Sequence, residues 1–186
     1  MTTLYEGAFA KINLTLDVLG KREDGYHDLK SVMQTISVRD DIEIDVDTGK
    51  PWCLHCDKDG IPCDERNLAW KAAKVFFDTT GKDPNGLEIR ITKRIPSEAG
   101  MGGGSADAAA VLRALNRHYE YPLSVAALAE LGGLVGSCAF LCPWWHRHGG
   151  RQGRAFAETA GYARLLLRGM QTGFLRFHTG TLSKTG

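Results

Sequence analysis

The chain has 186 residues, of which 43% are hydrophobic and 24% charged, with a formal net charge of +1. That is one or at most two small domains with enough material for a core, and a near-neutral balance leaves no electrostatic reason to expect nucleic acid or membrane as a partner. No apolar run approaches the roughly 18 residues of a membrane helix, and residues 1–7 lack the basic and apolar regions of a secretory signal, so a cytoplasmic protein is expected.

The charge is unevenly spread. Residues 1–137 hold 16 Lys and Arg against 21 Asp and Glu, a net of −5, whereas residues 138–186 hold 7 against 1, a net of +6. The later stretch has no Asp, Asn, Val or Ile, yet it carries three of the six His and two of the four Trp. The composition therefore breaks near Ser137, dividing the chain into a domain over 1–137 and a divergent tail over 138–186. Five cysteines (Cys53, Cys56, Cys63, Cys138, Cys142) without a secretory signal read as ordinary thiols in a reducing compartment. Cys53 and Cys56 have zinc-ligand spacing, but no second such pair and no nearby His pair completes four ligands, so no metal centre is expected.

In chain order, residues 9–18 alternate apolar and polar, with Ile12, Leu14, Leu16 and Val18 on one face, which predicts a half-buried strand. Residues 20–25 form a charged turn. A second β-prone stretch covers 29–38, and Asp41-Ile42-Glu43-Ile44-Asp45-Val46 alternates strictly as a third strand. Residues 47–64, rich in Gly, Pro, Asp and Cys, predict a loop or ragged hairpin. Residues 67–80 predict a helix with Leu68, Ala72, Val75 and Phe76 on one face, Asn67 as its cap and Gly81 just past its end. Residues 87–91 alternate as a further strand. A helix over 105–118, with Ala109, Leu112 and Leu115 inward, and a shorter one over 124–134 complete an α+β pattern. Beyond residue 137 no sustained period appears.

The strongest chemical signal is Pro96-Ser97-Glu98-Ala99-Gly100-Met101-Gly102-Gly103-Gly104-Ser105-Ala106. Four glycines let the backbone take positive φ and approach a ligand without a Cβ in the way. The helix that follows aims its unpaired N–H groups and the positive end of its dipole at the same place, a cradle for phosphate oxygens. Ser105 offers a hydroxyl donor or a magnesium contact. The loop is neither a Walker loop nor a dinucleotide fingerprint, and on local grounds alone the alternative is a flexible turn before an Ala-rich helix. On the first strand, Lys11 and Asn13 share one face, opposite Ile12 and Leu14. A lysine there is ordinarily a solvated charge; beside a phosphate cradle it would stabilise transferring phosphoryl oxygens. Tyr26 and His27 are turn residues by default, and offer a ring and an imidazole suited to a flat base.

Four ordered motifs, Lys11-Ile12-Asn13-Leu14, Asp24-Gly25-Tyr26-His27, Asp64-Glu65-Arg66-Asn67-Leu68-Ala69 and residues 96–109, resemble the 4-diphosphocytidyl-2-C-methyl-D-erythritol kinases, a family of the GHMP kinase superfamily, over about residues 3–137. The resemblance implies the GHMP N-terminal domain, of ribosomal protein S5 domain 2-like fold. It implies transfer of the γ-phosphoryl group of ATP to the 2-hydroxyl of 4-CDP-2-C-methyl-D-erythritol in non-mevalonate isoprenoid biosynthesis, with Mg2+ neutralising the phosphates. Pro96 to Ala106 would wrap the ATP phosphates, Lys11 would face the reacting hydroxyl with Asn13 nearby, and Tyr26 and His27 would recognise the cytosine. Neither nucleic acid nor membrane is implied as a partner.

The family pattern breaks after Gly136-Ser137. Where the family continues Asp-Val-Pro-Phe, with that Asp the proposed base, this chain reads Cys138-Ala139-Phe140-Leu141. A thiol cannot reproduce the hydrogen bonding and charge of a carboxylate. The family also runs on through a second, C-terminal domain for which this chain has no room. Both departures follow from the genetic code. Trp144-Trp145-His146 must be encoded TGG-TGG-CAY, whose neighbouring frame is forced to read Gly-Gly. Around it, residues 138–147 permit Val-Pro-Phe-Cys-Val-Leu-Gly-Gly-Thr-Ala, the family's continuation. Residues 138–186 are therefore expected to be an out-of-frame reading of the same gene, which also accounts for their unbalanced composition. Two alternatives stand beside the kinase reading: a non-catalytic truncated fragment that binds nucleotide, and a GHMP kinase for another small alcohol such as homoserine or mevalonate. Nucleotide sequencing across the codons for Ser137 and Cys138 is expected to reveal the shift; an unshifted frame running through residue 186 would refute it.

Overall fold

The computed structural model describes the backbone of residues 1–21 and 27–136, and the side chains of residues 1–17 and 33–136. Within these, residues 1–12 and 35–136 form one compact unit, and residues 13–21 and 27–34 belong to another. The elements run β1 (Thr2–Lys21), β2 (His27–Val46), β3 (Cys53–Cys56), α1 (Leu68–Thr80), β4 (Leu87–Thr92), α2 (Gly103–His118) and α3 (Val125–Val135). The α+β expectation and the three helices stand; several strand boundaries do not.

The four strands form one mixed sheet in the order β1-β2-β4-β3. β2 pairs antiparallel with β4, from Asp41 opposite Thr92 to Val46 opposite Leu87, and β3 pairs parallel with β4, from Cys53 opposite Glu88 to Cys56 opposite Ile91. Because side chains alternate across a strand, this register gathers Ile42, Ile44, Val46, Leu87, Ile89, Ile91 and Leu54 on one face, all at most 3% exposed. The same core takes in Ala72, Ala73 and Phe76 of α1, Ala108, Val111, Leu112 and Leu115 of α2, and Leu128 and Leu131 of α3. The helices thus cover the apolar face, and the opposite face carries Glu43, Asp45, Glu88 and Arg90.

The two stretches expected at 29–38 and 41–46 are one strand, because no Gly or Pro interrupts Val38-Arg39-Asp40-Asp41 and the backbone stays extended through it. The loop expected over 47–64 contains β3. Four residues are too few to display a period, and β3 exists because the edge of β4 offers it a ladder. β1 begins earlier than expected, and its buried residues are Glu6, Ala8, Ala10 and Lys11, whereas Ile12, Leu14 and Leu16 are exposed. The alternation identified the strand, and the even-numbered face it picked out is buried at Glu6, Ala8 and Ala10, but from Ile12 to Leu16 that same face is exposed. Gly20 and Lys21 extend β1, and residues 22–25 of the expected turn lie outside the described residues.

The helix ends follow the expected chemistry. Asn67 caps α1, its Oδ1 accepting from the Ala69 N–H at 2.9 Å while its Nδ2 donates to the Pro62 carbonyl at 2.7 Å, and Gly81 closes it in the left-handed region at φ 65°. The Asp64 carboxylate, gripped by the Arg66 guanidinium and by the Arg66 N–H, is held down at about 2 and shapes the turn entering α1. Ser124 caps α3 through the Ala127 N–H at 3.2 Å. Among the described residues no helix is long and apolar enough to cross a membrane.

Phe76 is fully buried where α1 meets the sheet, with the Phe77 and Tyr119 rings beside it. Truncation to Ala leaves a cavity, and Phe76→Ala is expected to destabilise the fold by about 3–5 kcal/mol in urea unfolding; a loss below about 1 kcal/mol would contradict this packing.

Candidate functional site

The glycine-rich segment lies between β4 and α2. Residues 96–100 are exposed, so this stretch of the loop is open to solvent. Gly100 and Gly102 take φ of 68° and 72°, the left-handed region that a Cβ penalises. Gly102 is the residue before α2, and no side chain caps that helix start. The first-turn N–H groups are therefore left for an anion, reinforced by the helix dipole. α2 begins at Gly103 rather than at the expected Ser105, so the last two glycines of the loop already belong to the helix.

Three elements press on this helix start. A Cβ on Gly103 would sit 3.2 Å from Ile95 Cγ2 and 3.3 Å from Lys93 Nζ, and one on Gly104 would meet Leu68 Cδ1 at 3.4 Å. Ser105 is buried, and its Oγ would lie 3.2 Å from a Cβ on Gly136, the last described residue after α3. The glycines here are required by crowding from below as much as by the turn itself.

Lys11 lies beside the loop. It is 3% exposed, its backbone N–H donates to the Met101 carbonyl at 3.1 Å, and its Cγ and Cε lie 3.5 and 3.6 Å from the place a Gly102 Cβ would occupy. β1 is the edge strand, so this hydrogen bond uses a donor that the sheet leaves over to tie the loop to the strand. Further along β1, Glu6 accepts from Arg113 Nε at 3.1 Å and from Arg117 Nη1 at 2.7 Å, while Arg113 Nη2 donates to the Gly7 carbonyl at 2.9 Å. These contacts fix β1 against α2, and hence Lys11 against the loop.

Beneath the loop is an ionic cluster that the sequence reading passed over. Lys93 Nζ donates to Asp40 Oδ2 and, at 2.7 Å, to Asp107 Oδ2, all three side chains being at most 4% exposed. Asp40 Oδ1 also accepts from the N–H groups of Arg94 and Ile95 at 2.6 and 2.7 Å, which sets the chain entering the loop. One lysine faces two carboxylates, leaving a surplus negative charge. Asp40 has two backbone donors besides Lys93, whereas Asp107 Oδ1 has no hydrogen-bond partner among the described residues, so the surplus falls on Asp107. Burial pushes Asp107 up to about 7 against the pull of Lys93, and neighbouring Asp40 adds to the rise. On Lys93 burial opposes the charge, but the two carboxylates hold the proton on and the net shift is upward. The readable signal was a charged residue inside a run of buried alanines, Ala106-Asp107-Ala108.

Of the residues singled out beforehand, Lys11 and the stretch Met101 to Gly102 come together. Pro96, Ser97, Glu98, Ala99 and Gly100 form the exposed part of the loop, and Gly103, Gly104, Ser105 and Ala106 its helical end. Asn13 is half-buried in the other compact unit. Tyr26 and Cys138 lie outside the described residues, and of His27 only the backbone, at the start of β2, is described.

Comparison with known proteins adds a family. The description of the GHMP kinases N terminal domain matches residues 67–141. A 4-diphosphocytidyl-2-C-methyl-D-erythritol kinase of Clostridium beijerinckii is 47% identical over 135 residues, which is 73% of this chain and 48% of that protein. One of Clostridium botulinum, strain Langeland, is 48% identical over 135 residues with the same shares. The chain thus spans about half the length of the curated relatives it matches. A crystal structure of 4-(cytidine 5'-diphospho)-2C-methyl-D-erythritol kinase superposes with a TM-score of 0.60 at 34% identity, covering 74% of this chain and 48% of that one. A mevalonate kinase, at 18% identity and a TM-score of 0.53, shares the fold.

The ionic cluster makes stability depend on pH in a definite direction. Asp107 binds its proton more tightly in the folded state, near 7, than at the ordinary 3.8, so its stabilising contribution is complete at acid pH and falls as pH rises from about 4 to about 7. Urea unfolding at a series of pH values is expected to show this slope in the native chain and its loss in Asp107→Asn; an identical slope in both would place the titration elsewhere.

Proposed function

We propose that this chain carries the N-terminal domain of a GHMP kinase, and that the whole protein transfers the γ-phosphoryl group of ATP to the 2-hydroxyl of 4-CDP-2-C-methyl-D-erythritol, in the making of isoprenoid precursors. The observation that carries the reading is the hydrogen bond from the Lys11 N–H to Met101 with the lysine side chain laid along Gly102. It places an ammonium-bearing side chain against an open helix N-terminus.

Phosphoryl transfer asks mainly for positioning and charge stabilisation. In this reading the N–H groups at the start of α2 hold phosphate oxygens, and Pro96 to Gly100 close over them from the solvent side. Lys11 Nζ faces the acceptor hydroxyl and offsets negative charge developing between acceptor and phosphoryl group. Mg2+ would supply positive charge to offset that of the phosphates, and Ser105, whose side chain is buried at the start of α2, would be the residue to help hold it. Asn13, Tyr26 and His27 serve the acceptor, the last two through the cytosine. The setting this implies is the cytoplasm.

A second reading applies to the chain as it stands. The position matching the family's proposed base holds Cys138, which offers no carboxylate to receive the hydroxyl proton. We therefore assign this chain nucleotide binding with little turnover, and assign residues 138–186 to a shifted frame of the gene. The abrupt change of charge at Ser137 supports this, as does a likeness to the Clostridium proteins that extends over 135 residues.

Steady-state assays with Mg-ATP and the cytidyl acceptor test both readings. Turnover near background is expected for the chain as given, and clear turnover once the frame is restored. In the restored protein Lys11→Ala is expected to lower kcat by about 10²–10³-fold, while homoserine and mevalonate are not phosphorylated. Phosphorylation of either in place of the cytidyl compound would overturn the substrate assignment, and full activity of Lys11→Ala the role of Lys11.

A further inference from the structure

On the face of the sheet away from the helices, β3 and β4 bring together three side chains that phosphoryl transfer does not use. Cys53 and His55 are two apart on β3 and so project to the same side, while Leu54 between them is buried in the core. The parallel register sets Glu88 directly opposite Cys53, with its neighbour Ile89 likewise turned into the core. The Cys53 thiol, a His55 ring nitrogen and a Glu88 carboxylate oxygen all lie within 4.8 Å of one another. We propose that Cys53, His55 and Glu88 form a binding site for one divalent transition-metal ion, with Zn2+ as the fitting occupant.

The geometry explains why the sequence spacing misdirects. Cys53 and Cys56 look like a chelating pair, but on a strand residues three apart face opposite sides, and Cys56 packs against the core instead. The useful spacing is two, and the third ligand comes from a strand more than thirty residues later. Sulfur, imidazole and carboxylate together suit a borderline ion such as Zn2+, whereas Mg2+ and Ca2+ prefer oxygen alone. Three protein ligands leave a fourth, tetrahedral position for water. A thiolate and a carboxylate balance the charge of the ion; as the S–metal bond forms, the thiol proton passes to solvent, and no oxidation state changes.

Access and competition also favour a site. The His55 side chain is 63% exposed and can swing onto an entering ion, while Glu88, 20% exposed, is held more firmly. Glu88 Oε1 accepts from Arg90 Nη2 at 2.6 Å and lies 3.6 Å from His55 Nε2. Arg90 has two further carboxylate partners, Glu43 and Asp45, the latter at 2.8 Å, so an ion drawing on Glu88 does not leave the guanidinium uncompensated. His55 Nε2 and Glu88 Oε1 are too far apart at 3.6 Å for a hydrogen bond, and an ion between them would replace that contact with two short bonds.

The test is a Co2+ titration of the purified, chelator-stripped chain, followed by absorption and then by displacement with Zn2+. One equivalent of Co2+ is expected to produce a thiolate-to-metal charge-transfer band and intense visible bands of a four-coordinate ion, both removed by Zn2+. Cys53→Ser should abolish the charge-transfer band, and His55→Ala and Glu88→Gln should each weaken binding at least about tenfold. His55 is exposed, so H55A keeps the fold, by far-UV circular dichroism, even if C53S does not. Cys56→Ser, Cys63→Ser and the combined C138S, C142S, H146A and H148A chain should bind as the parent does. The proposal is overturned if no charge-transfer band forms, if H55A binds with unchanged affinity, or if the band disappears with the substitutions at 138–148 instead.

Discussion

The shared lysine beneath the glycine loop organises the site above it. Lys93 is drawn by two carboxylates from different elements, Asp40 on β2 and Asp107 on α2, and its ammonium nitrogen ends 3.3 Å from where a side chain on Gly103 would begin. Asp40 also receives the backbone donors of Arg94 and Ile95, so the strand end, the loop entrance and the helix start all meet at one point. Removing Lys93 would leave two buried carboxylates uncompensated, and breaking a buried ion pair in this way costs about 3–5 kcal/mol where it has been measured elsewhere. The loop can therefore remain open to solvent along residues 96–100 while its two ends stay fixed. A phosphate cradle works only if its N–H groups are already in place before the anion arrives.

The sheet divides its labour by face. Toward the helices it is aliphatic and closed, with Ile42, Ile44, Val46, Leu87 and Ile89 at most 1% exposed. Away from them it is charged, with Arg90 bridging Glu43, Asp45 and Glu88, and Thr3 donating to Asp45 at 2.5 Å. That hydrogen bond, ahead of the pull of Arg90, holds the Asp45 carboxyl below its ordinary range. Both edges of the sheet are put to use. On one edge the Lys11 N–H reaches the loop, and on the other β3 carries Cys53 and His55 into line with Glu88.

Much of this was legible beforehand because it depends on neighbours in the chain. Helix α1 announced itself through its cap, its apolar stripe and the glycine after it, and the strict alternation of residues 41–46 gave the inner face of β2 correctly. The glycine loop and Lys11 were legible as separate candidates, and their resemblance to the GHMP kinases joined them. What escaped notice had a different character. Lys93 and Asp107 flank the loop as unremarkable charges until both are found buried, and Cys53-Leu54-His55-Cys56 reads as loop until β4 supplies a partner. On β1 the buried part of the inner face is carried by Ala8 and Ala10, poor hydrophobic signals on their own, while the stronger signals at Ile12, Leu14 and Leu16 fall where that face is exposed.

The amino-acid order by itself determined the elements and the local chemistry of their ends, because hydrophobic period, capping side chains and glycine freedom act over a few residues. It also determined the break at Ser137, where charge and composition change together. Tertiary structure alone decided which charges would be buried and which side chains would converge: Asp40 meets Lys93 across 53 residues and Glu88 meets Cys53 across a parallel register. Such meetings depend on strand order and helix placement, and these are settled by the packing of the whole core.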